Sequence, residues 1–366
     1  MKPHQPDYLF LTLVFVIIVF GLVMLSSAST VVSFQKHQNS FYYFKHQLLY
    51  GFLPGVILFF ICLRLNYQIW RKWANGFLIL SLVLLVLVFI PSISLTVNNA
   101  KSWINLDLFS FQPSEIVKLA YILYLAQWIE RQGKERIKDF NFGFLPFLVV
   151  LGLIMVLIAL EPDMGTMSVI VLIALIIYFL AGARLRHLAS FILVMSGLFF
   201  ILIKLAPYRL ARLTTFLNPA LDPQGTGYHI NQAFLAIGSG GWLGRGFGLS
   251  RQKFQYLPES MGDSIFAIIA EELGFVICLL FLLLVLALIL RGYKIAKNAP
   301  DRFSQITVIG VISWFVVQSF VNIGAMVGLL PLTGVPLVFV SYGGTSLAVS
   351  LAAVGIVANI SRWTVR

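Results

Sequence analysis

The chain has 366 residues, of which 59% are hydrophobic and 11% charged, and its net charge is +12. A soluble domain is roughly half apolar and about a quarter charged, so this composition excludes a soluble globular protein and defines a polytopic membrane protein. The Lys and Arg residues cluster between apolar runs as topology anchors do, so the positive charge gives no reason to expect a nucleic-acid partner.

Windows of about 20 apolar residues predict an all-α chain with about ten transmembrane helices: 8–28, 47–63, 76–93, 114–130, 142–160, 165–181, 187–205, 264–290, 305–330 and 342–360. The first run is too long for a signal-peptide core and reads as a span. Cys62 and Cys278 lie inside apolar runs and read as small packing residues, not as a disulfide framework. Alternate short loops hold Arg64, Arg71 and Lys72, then Arg131, Lys134, Arg136 and Lys138, then Arg184 and Arg186, then Arg291, Lys294, Lys297 and Arg302. Arg362 and Arg366 follow, whereas the opposite short loops hold only Lys36, Lys45 and Lys101. The positive-inside rule then places both termini in the cytoplasm. No separate soluble domain is visible, so residues 1–366 form a single membrane domain. Within it, 206–263 is a long extracytoplasmic loop between the seventh and eighth helices. Its apolar and aromatic residues predict short helices on the outer membrane face.

Five stretches carry candidate chemistry. In YLPESMGDSIFAIIAEELG, 256–274, Asp263 stands directly before the apolar run, at an N-cap position. A plain cap is the simplest reading of a lone Asp. The basic loop before it, and Glu271 and Glu272 about 12 Å along the helix, favour a polar cleft with Asp263 at its rim. A rim carboxylate beside a basic loop can serve as a general base. In FQPSEIVKLAYILYLAQWI, 111–129, Pro113 marks a helix start and Glu115 and Lys118 are spaced for an i,i+3 pair. That pair reads equally as a structural tie between helices or as a substrate contact.

EPDMGT, 161–166, makes a short turn between two spans, and a metal or substrate role for Glu161 or Asp163 is the weaker alternative. Arg209, Arg212, Arg245 and Lys253 in the long loop suit phosphate, or equally anionic lipid headgroups. The glycine spacing there does not form a dinucleotide fingerprint. In GLLPLTGVPLVFVSYGG, 328–344, prolines and glycines break an apolar run, which predicts a re-entrant or broken segment beside the cleft; a simple loop is the alternative.

Together these stretches resemble the SEDS family (shape, elongation, division and sporulation), the group of FtsW and RodA. The matching pieces are SWINL at 102–106, QPSEIVKL at 112–119, EPDMGT at 161–166, FLNP, and GYHINQAFLAIGSGGWLGRGFGLSRQKFQYLPE at 227–259. IFAIIAEELGF at 265–275 and NIGAMVGLLPLTGVPLVFVSYGG at 322–344 follow in family order, and the set spans essentially the whole chain. The SRQKFQYLPE and NIGAMVGLLPLTGVPL pieces look more like FtsW than RodA.

The resemblance implies a peptidoglycan glycosyltransferase that polymerises lipid II into a growing glycan strand at the outer face of the bacterial cytoplasmic membrane, for cell division or cell shape. It also implies a class B penicillin-binding protein as partner, among other divisome or elongasome membrane proteins. The family's essential acid falls on Asp263; the family usually reads Thr-Asp-Phe there, whereas this chain has Gly262-Asp263-Ser264. Asp263 would take a proton from the acceptor sugar. Arg209, Arg212, Arg245 and Lys253, or a divalent cation (Mg or Mn), would stabilise the departing pyrophosphate. Glu115, Lys118, Glu271 and Glu272 would form a buried network shaping the cleft. A lipid II flippase and a non-catalytic division scaffold are the competing classes. The absence of paired broken-helix halves and the rim position of Asp263 weigh against an alternating-access carrier.

Overall fold

The computed structural model describes residues 3–97, 100–105, 110–205, 207–218, 225 and 227–365. Among the described residues, eight helices are long and apolar enough to cross a membrane. The chain opens with α1 (Tyr8–Ala28), followed by the short α2 (Thr30–His37). Then come α3 (Tyr42–Gln47), a π-helical turn (Leu48–Phe52) and α4 (Leu53–Arg64), which run on as one span, and α5 (Tyr67–Leu87). A small antiparallel sheet follows, β1 (Ser94–Val97), β2 (Ala100–Asn105) and β3 (Ser110–Phe111), in the order β1-β2-β3. Next are α6 (Pro113–Ile137), a second π-helical turn (Phe140–Phe144) continuous with α7 (Leu145–Leu160), α8 (Met164–Leu180) and α9 (Leu185–Lys204). The long connection holds α10 (Pro207–Leu217) and α11 (Tyr228–Gly240), and the chain ends with α12 (Ile265–Lys297), α13 (Arg302–Met326) and α14 (Gly344–Ser361).

Each of the ten expected spans falls on a helix, although α5 ends at Leu87 and α13 at Met326, short of the expected 93 and 330. Two of them fall outside the eight: α8 has 17 residues, and the apolar run of α6 is interrupted by Glu115, Lys118 and Glu130. Two expectations need correction. The third helix begins at Tyr67, capped by Asn66, not at 76, because an apolar window discounts the polar first turns that hold Arg71 and Lys72. The sheet at 94–111 was not expected, because its segments are too short and too mixed to stand out in a span-length window.

The bundle is built around α13 and α14, the two most enclosed spans. Glycine lets α14 sit close on α4. A Cβ on Gly51 would stand 2.9 Å from Gly344 Cα, one on Gly55 3.0 Å from Ala348 Cα, and one on Gly355 2.8 Å from Cys62 Cβ. Small residues at the seam bring backbones together where lipid offers no hydrophobic drive. Cys62 is a buried, unpaired packing residue, as expected, and Cys278 is also buried and free.

The basic loops gather at one end of the bundle, with both termini. His4 N–H donates to Arg362 O (2.9 Å), Arg291 pairs with Asp7 (2.8 Å), and Arg71 pairs with Glu130 (2.8 Å). Arg302 donates to Ala181 O (2.7 Å), and Val365 N–H to Asn298 O (2.9 Å). Charge alternation in the sequence thus corresponds to a real division of the bundle into a basic end and an opposite end.

Candidate functional site

At the opposite end, Asp263 sits where four parts of the chain meet. The helix α12 starts one residue later than the sequence suggested. Ser264 is the N-cap residue, and Asp263 does not cap. Its backbone is fixed instead: Asn322 Nδ2, on α13, donates to Asp263 O (2.7 Å) and to Val335 O (2.8 Å). The Ser341 hydroxyl donates to Gly262 O (2.6 Å), and Tyr342 N–H to Met261 O (2.8 Å). A carboxylate freed from capping and held by its main chain is available for chemistry.

The clamp comes from 331–343, which is the broken segment expected from its prolines and glycines. It has no regular helix, and Val335, Leu337, Val338, Phe339 and Val340 are buried. A Cβ on Gly21 of α1 would stand 2.4 Å from Phe339 O, so the segment passes about 10 Å inside the end of α1 at Ala28. Non-helical backbone at that depth needs protein partners. Asn322 takes Val335 O, and Gln318, one turn earlier, takes Pro336 O (2.9 Å). The segment is therefore a re-entrant wall of the site.

The Asp263 side chain is partly buried. The Ser264 hydroxyl lies 3.4 Å from Oδ1, and Oδ2 faces Gly334, whose Cβ would stand 3.9 Å away. Burial first, then the neighbouring Glu259 carboxylate, pushes the Asp263 carboxyl up to about 7, against the opposing Arg212 guanidinium and Ser264 hydroxyl. An acid tuned to neutral pH suits proton transfer.

The four basic candidates separate. Arg212, on α10, is exposed, donates to Leu332 O (3.4 Å) and acts electrostatically on Asp263. Arg209, one turn away, turns towards Leu202 O (3.0 Å). Arg245 is half-buried, 3.8 Å from Glu271. Lys253 is placed elsewhere than the phosphate reading put it. It is 4% exposed, and its three ammonium donors go to Glu272 (2.9 Å), Ser27 (3.1 Å) and Gly248 O (2.6 Å).

The four cleft acids and bases fall into two groups. Lys118 and Glu115 form the expected pair at 2.6 Å, and Lys118 also reaches Gln318 Oε1 (2.7 Å), which accepts from Trp314 Nε1 as well. Glu271 and Glu272 anchor the loop 241–253 on α12. Glu271 accepts from Arg251 N–H (3.0 Å), Gln252 N–H and the Ser250 hydroxyl, while Glu272 accepts from Ser27 (2.8 Å) and Lys253. The helix breaks just after them at Gly274 (φ 76°). There Arg245 N–H and Gly246 N–H donate to the carbonyls of Glu271 and Glu272, and Phe275 N–H and Val276 N–H donate to Gly241 and Trp242. The loop is stitched into the helix by its backbone.

In the turn 161–163, Asp163 caps α8 through Thr166 N–H (2.9 Å) and accepts from Gln112 Nε2 (3.0 Å). Glu161 is fully buried, neither of its oxygens has a protein partner, and burial followed by Asp163 pushes it up to about 9, so it is neutral at pH 7. Among the described residues, no group of three His, Cys, Asp or Glu side chains lies close enough to hold a metal ion.

Sequence reasoning missed Gln318, Asn322 and His229. The first two are amides inside an apolar span, which is itself a signal. His229 Nε2 lies 2.6 Å from Ser264 Oγ, and nothing in the sequence marks that contact.

The fold and site define a multi-pass helical membrane protein with a tuned carboxylate at the end opposite its basic loops. The family model described as "Cell cycle protein", covering FtsW, RodA and SpoVE, matches residues 7–365, and the chain belongs to this family. It is 42% identical over 363 residues to Stage V sporulation protein E of Bacillus subtilis (strain 168), covering 99% of each chain. It is 39% identical to a probable peptidoglycan glycosyltransferase FtsW of Trichlorobacter lovleyi, covering 97% of this chain and 93% of the relative. Its fold is similar to a chain from the solved structure described as "Structural coordination of polymerization and crosslinking by a peptidoglycan synthase complex", with a TM-score of 0.81, 27% identity and 98% of each chain covered.

Proposed function

We propose that this chain is a peptidoglycan glycosyltransferase that polymerises lipid II, with Asp263 as general base. The observation that carries the reading is the Asp263 carboxyl: main chain clamped by Asn322, Oδ2 turned to the space beside Gly334, and proton affinity near neutrality. The family membership and the peptidoglycan glycosyltransferase relatives supply the reaction class.

Asp263 Oδ2 takes the proton of the acceptor's GlcNAc 4-hydroxyl. The oxygen attacks the anomeric carbon of the donor's MurNAc, the bond to phosphate breaks, and undecaprenyl pyrophosphate departs with inversion. Pyrophosphate leaves as an anion and needs no acid, so one carboxylate suffices, unlike the pair used in inverting hydrolysis. Arg212 is the foremost candidate to meet the departing charge, because it is exposed and its field already reaches Asp263. Arg209 shares α10 with it. A divalent cation, Mg or Mn, would be held mainly by pyrophosphate oxygens and water.

The Lys/Arg-rich end, with both termini, faces the cytoplasm in this reading, and Asp263 faces outward. The likeness to a chain of a peptidoglycan synthase complex supports a class B penicillin-binding protein as partner. The test is glycan synthesis from labelled lipid II by purified protein, with and without that partner. Wild type should yield strands and Asp263→Asn none while remaining folded; strands from Asp263→Asn would remove the base assignment.

A further inference from the structure

Ser264 directly follows Asp263, and the structure gives its hydroxyl three neighbours. His229 Nε2 is 2.6 Å away, Pro258 O is 2.8 Å away, and Asp263 Oδ1 is 3.4 Å away. A serine hydroxyl has one proton, and both Pro258 O and Oδ1 only accept from it while Asp263 is ionised. The third contact must then run the other way, with His229 donating from Nε2–H. Burial, then the Arg212 guanidinium, hold His229 down at about 4, so near neutral pH the ring is uncharged and the donor is its Nε2–H tautomer. His229 sits in the first turn of α11, so the contact ties that helix to the start of α12.

We infer that His229 and Ser264 are a positioning pair that sets which oxygen of Asp263 meets the acceptor sugar. His229 holds the Ser264 oxygen, the Ser264 hydroxyl swings from Pro258 O to Oδ1 when Asp263 ionises, and Oδ2 stays turned to the open space at Gly334. The 3.4 Å separation is long for a bond, and it is the kind of contact that tightens with substrate in place. The inference rests on the glycosyltransferase reading and adds a role for two residues that do not touch the reacting sugar.

The charged and titratable groups facing Asp263 are few among the described residues. Glu259 lies on its own loop, Arg212 on α10 and His229 on α11, whereas α13 and the re-entrant segment present the neutral Asn322 and Gly334. Losing the Ser264 donor therefore leaves the Glu259 repulsion less opposed. Asp263 should then hold its proton to higher pH.

The experiment is the pH profile of glycan synthesis from lipid II for wild type, Ser264→Ala, Ser264→Thr, His229→Ala and His229→Gln, with melting temperatures measured alongside. In Ser264→Ala and His229→Ala, the acid limb should move up by about half to one pH unit. Activity at pH 6.5 should drop severalfold and recover at pH 8.5. Ser264→Thr and His229→Gln, which keep a hydroxyl and a neutral donor, should restore the wild-type limb. A purely structural role predicts lower melting temperature and the same fractional loss at every pH, and that result would overturn the inference. Wild type active with all four limbs unmoved would overturn it while leaving the polymerase reading intact. No strands from wild type with its partner present would overturn both.

Discussion

Gln318 and Asn322, one turn apart on α13, donate their side-chain amides to consecutive carbonyls of the re-entrant segment, Pro336 O and Val335 O. Asn322 also takes Asp263 O, and Gln318 also takes Lys118. One helix face therefore links the buried ion pair, the broken segment and the Asp263 main chain. Asn322→Ala should leave two buried carbonyls without a donor, at about 1–3 kcal/mol for each unsatisfied group. A lowered melting temperature and at least a tenfold loss of glycan synthesis are expected; unchanged activity would show that the clamp does not place Asp263.

The pH dependence of Asp263 has a definite sign. Its carboxyl titrates near 3.8 when free and at about 7 in the folded protein. Folding thus favours the protonated form. The associated stability is present in full below about pH 4 and is lost as pH rises to about 7. Asp263→Asn should melt close to wild type at about pH 3.5 and increasingly above it as the pH rises to about 8. Activity runs the other way, since the base works ionised: wild-type rate should rise roughly fivefold from pH 6 to pH 7 and level off above pH 8. A flat profile would place the base elsewhere.

Lys118 and Glu115 are 1% and 2% exposed, so neither can turn to water if its partner is removed. Breaking a buried pair from one side costs about 3–5 kcal/mol. Lys118→Ala should sharply reduce folded yield in detergent, measured by size-exclusion profile and thermal melt. Glu115→Gln combined with Lys118→Met should recover part of that yield. Recovery of stability without activity would mark the pair as a substrate contact as well as a tie.

Gly274 allows the loop 241–246 to join α12. With φ at 76°, a Cβ there would stand 2.2 Å from Gly244 N. Gly274→Ala should disrupt the backbone exchange around Glu271 and Glu272 and lower the melting temperature by several degrees. Leu273→Ala, one residue earlier and with no such constraint, is the control; equal effects in both would refute a special role for the break.

Much of this protein can be read from its residues in order. The ten apolar runs had to become helices, because lipid leaves no other partner for the backbone. The alternation of Lys and Arg divided the loops into two sets, and contacts such as Arg291–Asp7 and His4–Arg362 put one set at one end. Pro331, Gly334 and Pro336 announced a broken segment, and the i,i+3 spacing of Glu115 and Lys118 announced their pair. Family motifs pointed to Asp263.

Other features depend on residues far apart in the chain. Charge alone could not separate Arg212 from Lys253; only packing shows the lysine enclosed by Ser27 and Glu272, from α1 and α12. Helical propensity offered Asp263 as a cap, and the clamps from Asn322 and Ser341 released it from that duty. Hydropathy placed α12 as one long span, while the Gly274 break is set by a loop whose amides take that helix's carbonyls. Local sequence fixes periodicity, charge and chain breaks because these act within a few residues. Which polar group meets which is decided by the bundle, where a buried donor or acceptor must find its partner wherever the fold brings one.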